Sequence, residues 1–450
     1  MTVRRALHGA SAVDFRRAEA PKLETPRDHV PHVIAWNLTR RCNLECAHCY
    51  ISAGPHESAT SELSTAECLR IEREILAVNP SPLFILSGGE PLLRTDLERI
   101  AENAAHSGAT VVVGTNGTLL EDRRIESLKS AGVTGFAVSV DSLTPKQHDN
   151  FRRGHGAFEA TAAAISRLRD HKLDFIVQTT ITKGNRGELA RLTEWAAREG
   201  AVSFNAYFLV PTGRGARLSD LSAAEYEAVL TELVSLHTAY LGRMMVRAKC
   251  APHFMRLVHT LAPDSPILNY ETRCPCGSQY CRITPDGKLT PCPYVPEVAG
   301  DLRRDSFAHV WRDAPLFQSL RNPELGGRCG RCEYRAVCGG CRARALAVTG
   351  DILADDPSCS YQPRAAAPVV ERVRPITYGM NADRTMLWSK DAEARLSRIP
   401  SFVRAVVAHR IEEYAKRHGQ SEITLNVMRE VRQSMPVDFS KKRPFFLDEE

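Results

Sequence analysis

Arg41-Cys42-Asn43-Leu44-Glu45-Cys46-Ala47-His48-Cys49-Tyr50 is the stretch on which the reading of this chain turns. Its three cysteines stand at C-x3-C-x2-C spacing. Three thiolates can hold three irons of a [4Fe–4S] cube, because soft sulfur ligands suit iron–sulfur clusters. The run holds no fourth cysteine, so one iron would stay open to a substrate or cofactor. A structural zinc site is the plainer alternative. Such sites usually place C-x2-C pairs apart and close with a fourth ligand. His48 lies between two of the cysteines and is poorly placed to be that ligand.

Outward from this loop, apolar strands alternate with helices. Val33-Ile34-Ala35-Trp36-Asn37-Leu38 reads as the strand that delivers the loop. Ser64-Thr65-Ala66-Glu67 is a capping box, and the helix after it puts Cys68, Ile71, Ile75 and Val78 on one stripe. Cys68 is therefore a core residue. Leu83-Phe84-Ile85-Leu86 is a short strand ending in Ser87-Gly88-Gly89-Glu90-Pro91, where paired glycines let backbone approach a ligand closely. Further strands are expected at 111–113, 135–141, 174–182 and 202–210, with helices near 119–131, 157–170 and 187–199. Such alternation implies a parallel sheet with helices outside it.

The cysteine loop, followed one helix and one strand later by Gly-Gly-Glu-Pro, resembles the radical S-adenosylmethionine (SAM) enzymes. The resemblance covers about residues 30 to 215 and implies an α/β fold, a partial (βα)6 barrel. It implies that Cys42, Cys46 and Cys49 hold a [4Fe–4S] cluster whose open iron is chelated by SAM. One-electron cleavage of SAM would then release a 5′-deoxyadenosyl radical that abstracts hydrogen from substrate. Ligands of such barrels sit at the C-terminal ends of the strands. Gly88, Gly89, Glu90, Asn116, Ser139 and Asp141 all fall there and are the expected SAM-binding residues. For Ser139 and Asp141 a turn or cap role is the alternative. Arg214, in the Pro211-Thr212-Gly213-Arg214-Gly215 run after the sixth strand, is expected at the barrel mouth. Its guanidinium fork suits a substrate carboxylate.

A second cysteine set follows. Cys274, Cys276, Cys281 and Cys292 precede Cys329-x2-Cys332-x5-Cys338-x2-Cys341, and Cys359 comes after. Zinc ribbons are the structural alternative for either half. The layout resembles the SPASM extension of radical SAM enzymes, with its two auxiliary [4Fe–4S] clusters. That resemblance implies Cys276, Cys281, Cys292 and Cys341 for one cluster and Cys329, Cys332, Cys338 and Cys359 for the other. Cys274 could replace Cys276, and a single-cluster extension stays open. Cys250 reads as an apolar residue or a spare ligand. Cys338-Gly339-Gly340-Cys341-Arg342-Ala343-Arg344-Ala345, Thr349-Gly350-Asp351 and Trp36-Asn37-Leu38-Thr39-Arg40 resemble the enzymes of haem d1 and alternative haem biosynthesis, which act on tetrapyrrole propionates.

Residues 363–387 read as a linker, and Trp388 onward as a small all-α domain. Val403, Val407, Ile411 and Tyr414 form one stripe, Gly419 is placed to stop a helix and Thr424 to cap another. Arg398-Ile399-Pro400-Ser401-Phe402-Val403-Arg404 and Ile411-Glu412-Glu413-Tyr414-Ala415 resemble the C-terminal module of the light-independent protochlorophyllide reductase B subunit. The expected divisions are an arm (1–30), the barrel (31–240), the SPASM-like extension (241–362), the linker and the helical domain (388–450).

Composition agrees with a soluble enzyme. The 450 residues are 43% hydrophobic and 25% charged, with a formal charge of +6. No basic run precedes Lys441-Lys442-Arg443, so no nucleic-acid footprint is expected. No stretch approaches the ~18 apolar residues of a membrane span, and no secretory h-region opens the chain. Of 14 cysteines, nine fall between Cys274 and Cys359 and three in the first loop. In a long chain without a signal this pattern implies iron–sulfur ligation in a reducing, cytoplasmic compartment. The expected function is a radical SAM oxidoreductase acting on a small-molecule tetrapyrrole, with a maturase of ribosomal peptides as the alternative. A ferredoxin or flavodoxin would supply electrons.

Overall fold

The structure, a computed structural model, describes residues 29–218, 221–269, 273–371, 384–397, 399 and 401–434. Nearly all of the expected arm and the middle of the linker lie outside the described residues.

The first half follows the expected alternation: β1 (Val33–Asn37), α1 (Thr65–Val78), β2 (Leu83–Ser87), α2 (Leu97–His106), β3 (Thr110–Thr115), α3 (Asp122–Ser130), β4 (Val133–Ser139), α4 (Pro145–Arg152), α5 (Ala157–Asp170), β5 (Asp174–Ile181), α6 (Leu189–Glu199) and β6 (Ser203–Phe208). Helix α1 starts at the Ser64–Glu67 capping box, in which the Ser64 hydroxyl accepts from the Glu67 N–H. The chain then adds α7 (Ala223–Ala239), β7 (Met245–Lys249) and α8 (His253–Leu261). Strands β1 to β6 pair in parallel, each with the next. The sheet does not stop at six. Strand β7 extends it in parallel beyond β6. At the other edge β8 (Tyr280–Ile283) pairs in parallel with β1, and β9 (Lys288–Thr290) and β10 (Gly300–Asp301) follow antiparallel.

Side chains alternate across each strand. Ile34, Trp36, Phe84, Leu86, Val111, Val113, Val177 and Phe204 face the helices and are wholly buried in one continuous core. The opposite set, including Ala35, Asn37, Gly114, Ala137, Ser139, Gln178 and Asn205, lines a lumen. The extension adds α9 (Phe307–Asp313), α10 (Pro315–Arg321), α11 (Gly327–Arg331) and α12 (Arg342–Thr349), and Phe307, Trp311 and Phe317 join the core of the sheet.

The C-terminal module has its own core around Ala392, Ile411, Ala415 and Val427. It comprises α13 (Lys390–Ser397), α14 (Ser401–Arg417) and α15 (Leu425–Ser434). It is not purely helical: β11 (Leu387–Trp388) and β12 (Glu422–Ile423) form a short parallel pair, so Trp388 lies in a strand and the first helix starts at Lys390. Gly419 adopts a left-handed φ of 66° just past α14, as its stop role requires. No helix among the described residues is long and apolar enough to cross a membrane.

Candidate active site

The cysteine loop leaves the C-terminal end of β1 and is closed by backbone bonds. The Cys42 N–H donates to Gly54 O at 3.0 Å, and the Gly54 N–H to Arg40 O at 3.2 Å. Each sulfur has a donor. The Leu44 N–H donates to Cys42 Sγ (3.4 Å) and the Ala53 N–H to Cys49 Sγ (3.3 Å). Asn116 Nδ2 lies 3.8 Å from Cys42 Sγ, and Arg152 Nη1 lies 3.8 Å from Cys46 Sγ. Burial pushes the Cys42 thiol up to about 12 and raises Cys46 as well. Ionised sulfur here therefore needs a strong adjacent cation, which iron provides. Among the described residues no three such side chains surround one point for a single metal ion; these three line a common cavity instead. Soft donors, each backed by an N–H, fit a cluster held by Cys42, Cys46 and Cys49.

The paired glycines approach the loop's own backbone. The Gly89 N–H donates to Thr39 O (2.7 Å) and the Glu90 N–H to Arg41 O (2.9 Å). A Cβ on Gly89 would lie 2.2 Å from Arg41 O, and one on Gly88 2.5 Å from Thr39 O. No other residue fits without moving the loop.

Arg214 does a different job from the one expected. Its Nε donates to Cys46 O (2.8 Å) and its Nη2 to Ala53 O (2.7 Å), while its own N–H donates to Cys49 O (3.0 Å). A Cβ on Gly213 would lie 2.5 Å from Cys49 O. The Pro-Thr-Gly-Arg-Gly run is thus a clamp on the cysteine loop. Its guanidinium fork serves two backbone carbonyls.

Asp141 is also placed behind the cavity wall. It is 1% exposed, its Oδ2 lies 2.5 Å from Arg152 Nη2, and its Oδ1 accepts from the Thr180 N–H (2.7 Å). The Arg152 charge holds its carboxyl below the ordinary range against the burial that would raise it. The chain of contacts Asp141–Arg152–Cys46 orients a sulfur. Glu90 is equally enclosed: its carboxylate accepts from Thr115 Oγ1 (2.9 Å), the Asn116 N–H (2.9 Å) and the Leu92 N–H (3.1 Å). Burial still pushes it up to about 7. Gly88, Gly89, Asn116 and Ser139 share the cavity wall with the three sulfurs. His48 stacks on Phe151 with centroids 4.5 Å apart, and burial pushes it down to about 4, so the ring is neutral packing.

Several site residues were not foreseen. Glu62 accepts both Arg41 Nε and Arg41 Nη2 at 3.1 Å, with Arg94 alongside at 3.8 Å. Tyr50, Tyr207, Tyr280 and Tyr294 line the same cavity as Cys49 and Cys292. Tyr50 Oη accepts from Asn37 Nδ2 (2.8 Å), and its ring lies 5.1 Å from that of Tyr294. The available signal was position: Tyr50 follows Cys49, and Tyr280 precedes Cys281.

The second cysteine set divides in two. Cys276, Cys292 and Cys341 are buried together, with Cys250 and Cys274 packed against them. All five border the main cavity. Cys281 is elsewhere. On β8 it pairs in register with Ile34, so it takes the core face and is 0% exposed among Ile283, Leu289, Phe307 and Phe317. The residues that fit a first auxiliary cluster are therefore drawn from Cys250, Cys274, Cys276, Cys292 and Cys341. Cys329, Cys332, Cys338 and Cys359 surround a separate small pocket with Arg256 and Arg328, the four that the resemblance to the SPASM extension implied. Asp356, 0% exposed, links the two groups: its Oδ2 accepts from the Cys341 N–H (2.7 Å) and faces Arg344 (3.2 Å) and His253 (3.3 Å).

Comparison with known proteins agrees with this geometry. Residues 36–196 match the radical SAM superfamily, 274–333 the SPASM iron–sulfur cluster-binding domain, and 388–432 the proto-chlorophyllide reductase 57 kD subunit. The chain belongs to the radical SAM superfamily and is an iron–sulfur enzyme. It is 41% identical over 345 residues to an AdoMet-dependent heme synthase of Methanosarcina barkeri, covering 74% of this chain and 98% of that one. It is 30% identical to an Fe-coproporphyrin III synthase of the same organism, covering 77% and 92%. In fold it resembles Streptococcus suis SuiB bound to S-adenosylmethionine, with a TM-score of 0.60, 15% identity and 74% and 78% of the two chains covered.

Proposed function

We propose that this protein oxidises the propionate side chains of a tetrapyrrole in haem-type biosynthesis. The observation that carries the reading is the match along 98% of the length of a protein named as a heme synthase. The cavity supports it. It has a volume of about 2280 Å³, and Asp174 and Asp391 are the only carboxylates among the described residues lining it, against Arg247, Lys249, Arg273, Arg410 and Arg429 among others. A wall of this charge favours a polyanion, and the four tyrosine rings offer flat apolar faces to a macrocycle.

When bound, the cluster and SAM supply one-electron cleavage to a 5′-deoxyadenosyl radical that removes a hydrogen atom from substrate. The chain's residues supply position. Arg152 and Asn116 set the sulfurs of Cys46 and Cys42, and Arg214 fixes the loop that carries them. Tyr50 and Tyr294 pack on each other near Cys49 and Cys292, so a macrocycle stacked on them would lie close to both cysteine groups. Loss of carbon dioxide from a propionate radical, leaving a vinyl group, releases one electron, which the auxiliary cysteines' cluster would take. A ferredoxin- or flavodoxin-type reductant in the cytoplasm would restore the first cluster.

The test is anaerobic incubation of cluster-loaded protein with SAM, reductant and iron coproporphyrin III, read by mass spectrometry. The expected product has propionates replaced by vinyl groups, with SAM consumed. Unchanged porphyrin alongside modification of a short peptide would move the assignment to a peptide maturase.

A further inference from the structure

The barrel is hollow from end to end. Closed barrels of this family of shapes are filled by bulky branched side chains. Here the inward positions include Ala35, Gly114, Gly135 and Ala137, all small. The lumen therefore continues from the cysteine loop to the N-terminal ends of the strands, at Val33, Leu83, Ser203 and Met245.

The C-terminal module sits at that far end. Ser401 Oγ lies 2.9 Å from His32 Nδ1 and accepts from Asn79 Nδ2 (3.1 Å), while Arg404 Nη2 donates to Ser81 Oγ (2.7 Å). These partners immediately precede β1 and β2. The far mouth is strongly basic. Arg243 and Arg247 come to it from the barrel, and Arg395, Arg410, Arg429 and Arg432 from the module. Several of these arginines have other partners as well. Asp174 and Asp391 are the sole carboxylates among the described lining residues, so the balance stays positive. Met245, Val407 and Met428 supply apolar wall between the guanidinium groups. Apolar side chains together with planar cationic forks suit a hydrophobic molecule that carries carboxylates.

The heme synthase relative is covered almost completely by 345 residues, which leave about a quarter of this chain without a counterpart. The module adds something beyond the reaction those residues account for. We propose that it turns the far mouth into a second binding site for a carboxylate-bearing tetrapyrrole, across the barrel from Cys42, Cys46 and Cys49. This rests on the haem-type reading above and assigns the module a holding role for substrate or product.

The experiment is an optical titration of full-length, cluster-loaded protein with iron coproporphyrin III under anaerobic conditions. Wild type takes up a second equivalent after the first. Arg410→Glu/Arg429→Glu, at two exposed positions outside the cysteine loop, weakens one equivalent by at least about tenfold and keeps the other. SAM cleavage with saturating porphyrin persists in this variant. The tetramethyl ester of the same porphyrin, which lacks the carboxylates, fails at the far site in wild type. A single equivalent unaffected by the charge reversals overturns the second site and leaves the haem reading standing. Absence of any binding by wild type overturns both.

Discussion

Arg214 and Arg152 act on the cysteine loop from two sides, and each sets a different prediction. Arg214 donates to two loop carbonyls. Hydrogen bonds from a charged group contribute about 1.5–3 kcal/mol each. Arg214→Ala should release iron to a chelator faster than wild type, with porphyrin affinity within about twofold. Arg214→Lys, lacking the fork, should fall between them. A large loss of porphyrin affinity with unchanged iron release would restore the substrate role to this residue. Arg152 and Asp141 form a buried pair, 6% and 1% exposed. Removing one partner of such a pair costs about 3–5 kcal/mol, and replacing both with apolar residues can be neutral. Asp141→Asn should therefore lower the melting temperature. Asp141→Leu/Arg152→Met should recover stability and yet cleave SAM slowly, because Cys46 has lost its donor.

Glu72 gives a pH prediction away from the clusters. It is wholly buried on α1, accepts from Asn103 Nδ2 (2.6 Å), and is pushed up to about 8 by burial. Below about pH 4.5 the carboxyl is protonated both folded and unfolded. Between there and pH 8 the unfolded chain gives up the proton while the folded one keeps it, so stability falls as pH rises. Glu72→Gln should flatten that slope, and melting temperatures at pH 6 and pH 8 should show a smaller drop than wild type. An equal drop would place the titration elsewhere.

At the scale of elements, β8 shows what the spacing of cysteines conveys and what it does not. Cys329, Cys332 and Cys338 follow one another closely, and the fold brings the distant Cys359 to the same small pocket. Cys281 lies earlier in the chain, and its direction is set by a parallel register with β1, nearly 250 residues before it. A one-residue shift in register would have turned it to the cavity. Cys281→Ala should accordingly retain its auxiliary iron, and Cys341→Ala should lose about four irons. Iron analysis decides between them; loss in the first variant would contradict the register. Strands β1 to β6 were legible as apolar runs, since parallel strands are buried on both faces. Strand β7 was not, because Arg247 and Lys249 face the lumen and break the run. The clamp role of Arg214 and the partnership of Glu62 with Arg41 depend on where loops meet in space. Neither leaves a mark in local spacing.

The whole molecule places three regions around one lumen, the cysteine loop, the Cys292 group and the C-terminal module. Such a layout suits a substrate broad enough to touch more than one of them. Its central claim is that the radical formed at Cys42, Cys46 and Cys49 removes hydrogen from a tetrapyrrole propionate. Iron coproporphyrin III deuterated along its propionates tests this most directly. After anaerobic turnover, the 5′-deoxyadenosine is collected and weighed by mass spectrometry. Wild type should transfer deuterium into it, and the variant with Cys42, Cys46 and Cys49 all changed to Ala should form none. Unlabelled 5′-deoxyadenosine from wild type that still consumes SAM, or labelled product from the triple variant, would contradict the account.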